Sequence, residues 1–272
     1  MSAPELDREL PLLLDAIYAR WHYDFRQYAQ ASLRRRVTQA LSTLAVPTVA
    51  ALRERVLADD STFQQLLPYL TVPVTEMFRD PAFFRVLRER VAPLLRTYPS
   101  VRVWLAGCST GEEVYALAIL LREEGLEARS IVYATDISTT ALEKAEAGIY
   151  DLDRMAGFSE GYLASGGRVS LSDYYTAAYG AAVLDRSLRE HVVFSDHSLA
   201  TDQVFAEVQL VCCRNVLIYF NSELQDRAVG LFKDALCNKG FLGLGSKETL
   251  RFSRQGAAFA PFAPDVRIYR KR

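Results

Sequence analysis

Apolar residues change their spacing along this chain. Over residues 1–68 they recur at helical intervals: Leu33, Val37, Leu41 and Leu44 fall at i, i+4, i+8 and i+11, one stripe of a helix. Residues 48–58 and 62–67 repeat the theme after Pro47 and after the start signal "DDST". From residue 101 onward, short runs rich in β-branched and aromatic residues alternate with helical stretches. "VRVWLAG", "SIVYATD", "EVQLVCCRNVLIYF" and "GFLGLGS" read as strands. Between them, "GEEVYALAILLREEG" reads as a helix closed by Gly125, and "STTALEKAEAGIY" as one capped by Ser138. "NSELQDRAVGLFKDAL" is a third. This alternation predicts an α/β fold: an all-helical N-terminal domain (1–68), then a doubly wound, mostly parallel sheet with helices on both faces (69–272). Residues 151–188 depart from it, with "SGG" at 165–167, four tyrosines and few helical repeats. They read as an insertion, in which "ASGGRVSL" suggests a turn between short strands.

Composition narrows the class. Half of the 272 residues are apolar and 28 are Phe or Tyr, enough for a substantial core. A formal net charge of −1 gives no global attraction to nucleic acid or anionic lipid. No apolar run reaches the ~18 residues that a membrane span needs. "MSAPELDREL" lacks the basic-then-apolar order of a signal peptide, so a cytoplasmic location is expected. Cys108, Cys212, Cys213 and Cys237 form no CxxC pair, and neither a disulfide nor a metal site is expected. Charge is uneven in one place. Residues 18–58 hold seven arginines against Asp24 and Glu54, a local excess of five, with Arg34, Arg35 and Arg36 together. This stretch is either a solvated helix face or a docking surface for an acidic helix or tail.

The candidate chemistry lies in "GCSTGEE" at 107–113, a tight glycine turn between a strand and a helix. It is not the GxGxxG of dinucleotide sites, whose glycines let the backbone approach a pyrophosphate. Glu112 and Glu113 open the helix where phosphates would otherwise sit, and would repel them. They suit a ligand with a cationic group and hydroxyls, such as S-adenosylmethionine, and they also favour the helix dipole by ~0.3–1 kcal/mol. Asp136, ending the second strand, is placed to accept hydrogen bonds from ribose hydroxyls.

Four ordered stretches make the sequence resemble the CheR family of chemotaxis-receptor glutamate O-methyltransferases over nearly its whole length. They are "LTVPVTEMFRDPAFF" (70–84), "VWLAGCSTGEEVYALA" (103–118), "YATDISTTALEKAEAGIY" (133–150) and "CRNVLIYF" (213–220). The resemblance implies a helical receptor-docking domain before a Rossmann-like adenosylmethionine-dependent methyltransferase domain carrying a small β-subdomain. It implies cofactor contacts at Thr75, Arg79, Glu113, Asp136, Ser198, Leu199, Arg214 and Asn215. Pro73 and Ser198 stand where relatives often have Asn.

The implied reaction forms glutamate methyl esters on the cytoplasmic helices of a chemoreceptor or chemosensory-type receptor. A glutamate is ionised at neutral pH, its reference pKa being ~4.3, so alignment rather than a general base is required. Arg79 is the expected active-site residue, gripping either the substrate's or the cofactor's carboxylate, and Tyr219 is a second candidate. His22, His191 and His197 are scattered, and the last two are expected to be structural. In this light the arginine helix, with Arg34, Arg35 and Arg36, becomes a docking surface. A monomer is expected, with no nucleic-acid partner and no membrane insertion. Two other functions fit the same residues: methylation of a small carboxylic acid, and a non-catalytic adenosylmethionine sensor.

Overall fold

The computed structural model describes residues 3–71 and 75–272; Pro73 lies outside the described residues. Four helices come first: α1 (Ala3–Trp21), α2 (Gln30–Thr43), α3 (Val49–Ala58) and α4 (Asp60–Thr71). The stripe on α2 points inward, with Leu33, Val37 and Leu41 buried. Thr48 caps α3, accepting from the Ala51 amide at 3.1 Å, and α4 runs on past residue 68. Residues 22–29 are not helical. Here the Asp24 carboxylate takes the Arg26 amide at 3.1 Å, an Asx-type turn that competes with the helix ladder.

The chain then enters α5 (Pro81–Val86), a π-helical turn (Leu87–Val91) and α6 (Ala92–Leu95). The alternating part follows as β1 (Val101–Ala106), α7 (Glu112–Glu123), β2 (Ser130–Asp136) and α8 (Thr139–Ala147). Next come β3 (Ile149–Asp151), α9 (Met155–Ala164), β4 (Tyr175–Ala178), β5 (Ala181–Leu184) and β6 (Val192–Asp196). The chain finishes with β7 (Val208–Cys213), α10 (Ser222–Ala235), β8 (Leu236–Leu244), β9 (Phe259–Ala263) and β10 (Ile268–Lys271).

Seven strands form the main sheet in the order β6-β2-β1-β7-β8-β10-β9. The first five are parallel, and β10 runs antiparallel to both β8 and β9. Successive side chains face opposite sides, so each central strand feeds two cores. Trp104, Val211 and Leu242 pack on the side that carries the helical domain and α10. Val103, Leu105, Leu210 and Cys212 pack on the side that carries α5 and α7.

A separate antiparallel sheet, β3-β5-β4, forms the inserted part. Its "SGG" is not a turn between strands. Met155, Phe158 and Tyr162 bury one face of α9, and "SGG" terminates that helix, with Gly166 at φ +86°. The long run "EVQLVCCRNVLIYF" is a strand only as far as Cys213. Beyond it Asn215 turns left-handed, at φ +61°, and Leu217–Tyr219 form a single tight helical turn.

Candidate functional site

The chain leaves β1 for β2 on one side and meets β7 on the other, the switch point at which open α/β sheets bind ligands. A cleft lies there, enclosing about 920 Å³ with its open mouth included. Two glycines shape its floor. Gly107 takes φ +78°, and a Cβ there would stand 2.4 Å from Val216 Cγ2; Gly111 takes φ +91°, with Ala145 Cβ 2.7 Å from where its own would be. Non-glycine residues are also left-handed on the segments that reach the cleft: Phe78, Asp80, Ser109 and Asn215. Such conformations cost about 1–2 kcal/mol each for L-residues, and they cluster where geometry serves function.

Asp136 sits at the cleft edge of β2. Its Oδ2 accepts from the Ser109 amide at 2.8 Å and its Oδ1 from the Ser138 amide at 2.9 Å. Burial outweighs these bonds and pushes its carboxyl above the usual carboxylate range. Each oxygen keeps acceptor capacity for another donor. The two glutamates of the helix start have separate tasks. Glu113 lines the cleft, and its Oε2 accepts from Arg214 Nη1 at 2.9 Å. Glu112 turns away, bonded to Thr110 Oγ1 at 2.7 Å and to Arg154 Nη1 at 2.7 Å, so only Glu113 faces a ligand.

Arg214 is a hub rather than a free cation. Besides Glu113 it reaches Asp80 Oδ2 at 2.9 Å and the Arg79 carbonyl at 2.8 Å, and it lies 4.2 Å over the Phe83 ring. Its side chain is 1% exposed. With Asp80 taken by Arg214, the Arg79 guanidinium lines the cleft and makes no ion pair or hydrogen bond among the described residues. Thr75, Leu199 and Asn215 also line the cleft. Ser198 does not: its hydroxyl accepts from the Ala200 amide at 3.3 Å within its own turn, and His197 lines the wall beside Leu199 instead. Tyr219 reaches the cleft from the helical turn after β7, not from a strand end.

The arginine trio divides. Arg36 is buried at 5% exposure, its guanidinium 4.4 Å over the Tyr219 ring and bonded to the Leu70 carbonyl at 3.0 Å. It is not a surface residue, because the inward stripe of α2 carries it to the seam with the sheet. Arg34 pairs with Asp7 at 2.8 Å, and Arg35 is exposed with no ion pair among the described residues. Arg53 likewise meets Glu9, at 3.5 Å. Acids of α1, outside the basic window, neutralise part of its charge.

Other contributors carried no motif of their own. Glu248 is 4% exposed; it accepts from the Asn215 amide at 3.0 Å, the Val216 amide at 2.9 Å and the Gly245 amide at 2.6 Å. It thereby fixes the left-handed turn that carries Asn215. Arg154 joins Glu112 to the Thr75 carbonyl, at 2.7 Å each. Tyr28 lines the cleft from the helical domain. Glycine-flanked "GSKET" was the available signal for Glu248, and the aromatic cluster "HYDFRQY" between helices for Tyr28.

Comparison with known proteins identifies the family. The CheR methyltransferase SAM-binding domain matches residues 73–262, and the CheR all-alpha domain matches residues 8–71. A Pseudomonas putida protein named Cher3 is 58% identical over 270 residues, 99% of each chain. The chemotaxis protein methyltransferase of Salmonella typhimurium is 32% identical over 70% of this chain and 65% of its own. That of Listeria innocua is 26% identical over 91% and 92%. The chain belongs to the CheR methyltransferase family, and its cofactor is S-adenosylmethionine.

The donor set fits that cofactor. An acceptor-only carboxylate at Asp136 suits a ribose diol, and the remaining oxygen of Glu113 suits an ammonium. Ser109 Oγ is buried without a partner among the described residues, a vacancy for a polar ligand group. The acidic Glu113 and Asp136 leave no place for a phosphate.

Proposed function

We propose that this protein methylates glutamate side chains on the cytoplasmic helices of a chemoreceptor or chemosensory-type receptor. Adenosylmethionine, when bound, supplies a methyl group on a positively charged sulfur, which an ionised carboxylate can accept without a general base. The protein's work is therefore placement. Asp136 and Glu113 hold the two ends of the cofactor, Leu105, Val216 and Phe220 keep the wall apolar, and Arg79 receives the incoming carboxylate. The observation that carries this reading is Arg79, a cation on the cleft wall while Glu113 and Asp80 are already engaged by Arg214. A planar fork can hold a carboxylate through two parallel N–H bonds. Docking falls to the exposed side of α2, where Arg35 is the cation left for an acidic helix.

Arg79→Lys keeps the charge and loses the fork. If Arg79 grips the substrate, adenosylhomocysteine should bind the variant nearly normally by calorimetry, while single-turnover methylation of receptor-bearing membranes falls sharply. Equal losses in affinity and rate would place Arg79 on the cofactor's own carboxylate. No change in either would remove it from the site.

A further inference from the structure

We infer that the helical domain supplies part of the nucleoside site: the Tyr28 phenol donates a hydrogen bond to the adenosyl group held at Asp136. This goes beyond the glutamate-methylation reading and rests only on the cofactor assignment.

Tyr28 lies in residues 22–29, the non-helical link between α1 and α2. Its backbone is tied to the turn after β7 on both sides: the Ala29 amide donates to the Tyr219 carbonyl at 2.8 Å, and the Asn221 amide to the Gln27 carbonyl at 2.9 Å. Together these form an antiparallel bridge between Tyr28 and Phe220. The ring is wedged edge-on between Phe25 at 5.0 Å and Phe220 at 4.9 Å. Main chain and ring are thus both held, and the phenol has a fixed position on the cleft wall, among the same lining as Asp136 and Ile137.

A core aromatic would explain the packing but not the hydroxyl. Tyr28 is only 9% exposed; its phenol opens on the cleft and makes no hydrogen bond among the described residues. The charge nearby decides its form: burial first, and then the Asp136 carboxylate, push the phenol further from ionising, so it stays a donor. A donor beside the carboxylate that takes ribose hydroxyls faces a ligand group rich in acceptors. The same domain also fixes the second cleft tyrosine, through Arg36 over Tyr219. The helical domain is therefore a wall of the cofactor cleft as well as a docking module.

Tyr28→Phe, in the full chain, keeps the ring packing and removes only the hydroxyl. The variant is titrated calorimetrically with S-adenosylhomocysteine and with 5′-methylthioadenosine, which retains the nucleoside and lacks the amino-acid tail. Both affinities should fall by the same factor, about three- to tenfold for one neutral hydrogen bond, while the melting temperature of the ligand-free protein stays within about 2 °C of the wild type. Unchanged affinity for both ligands overturns the inference and leaves Tyr28 a packing residue. Weakening of adenosylhomocysteine alone overturns it too, by moving the contact to the tail. A wild-type protein that binds neither ligand would instead strike the cofactor assignment beneath it.

Discussion

Arg214 Nη1 donates to Glu113 Oε2 at 2.9 Å, and the second arm of the same guanidinium holds Asp80 at 2.9 Å. One buried cation thus fixes both the first turn of α7 and the segment that delivers Arg79 to the cleft. Arg214→Met should leave two carboxylates facing each other without it, and breaking a buried pair costs about 3 kcal/mol. Urea denaturation should show that loss, with weaker adenosylhomocysteine binding beside it. A loss under about 1 kcal/mol, below the range for buried pairs, would mean that the hub is not holding the site.

Asp136 sets a pH dependence whose sign follows from its burial. Its carboxyl titrates above the usual range, and the ionised form, with both oxygens as charged acceptors, holds ribose hydroxyls more strongly than the protonated acid does. Affinity for adenosylhomocysteine should therefore fall as pH drops through that raised value, by up to about tenfold per pH unit below it. An unperturbed aspartate would hold its affinity down to about pH 4. Calorimetry between about pH 8 and pH 5 checks this, with Asp136→Asn as the reference that should be weak and flat across the range. A wild-type protein as flat as the variant would remove Asp136 from the ligand.

Glu248→Gln tests the support behind Asn215. The substitution keeps one acceptor oxygen but turns an N–H₂ group toward either the Val216 amide or the Asn215 and Gly245 amides, and a buried donor left unsatisfied costs about 1–3 kcal/mol. The variant should be less stable by about that amount. Its methylation rate should drop more than its cofactor affinity, because the Asn215 turn is displaced. An unaltered rate with reduced stability would confine Glu248 to folding.

Much of this was legible in the sequence, and the reasons differ by element. Val101–Ala106, Ser130–Asp136 and the capped helices after them could be read because spacing, Ser138 and Gly125 act locally. The glycine turn, Asp136 and Glu113 could be read for the same reason. What could not be read depends on partners far apart in the chain. Arg36 looks like its neighbours Arg34 and Arg35 until Tyr219 arrives from 183 positions away to receive it. Ser198 matched a motif position, yet its hydroxyl is consumed by the turn at Ala200. Glu248 and Tyr28 contribute through backbone amides and a bridge between domains, which leave little pattern in side-chain chemistry.

That division of the arginines gives its own prediction. Arg34→Glu with Arg35→Glu should slow methylation of receptor-bearing membranes without changing stability or cofactor affinity. Added salt should mimic it in the wild type, since exposed charges are screened over about 8 Å at physiological ionic strength. Arg36→Glu should behave differently and destabilise the fold by about 3 kcal/mol, because it buries an unpaired carboxylate against Tyr219. Equal effects from the two changes in a melting experiment would contradict the placement of Arg36.

The central claim is methyl-ester formation on receptor glutamates, and the chemistry of the product tests it most directly. Purified protein is incubated with adenosylmethionine carrying a tritiated methyl group and with chemoreceptor-bearing membranes, and the labelled receptor is then treated with mild base. Esters of carboxylates hydrolyse under base, whereas N-methyl groups do not. The account predicts label on the receptor that is released as volatile methanol, and a much smaller yield when small carboxylic acids replace the membranes. Label that resists base, or that appears on small acids and never on receptor, would contradict it.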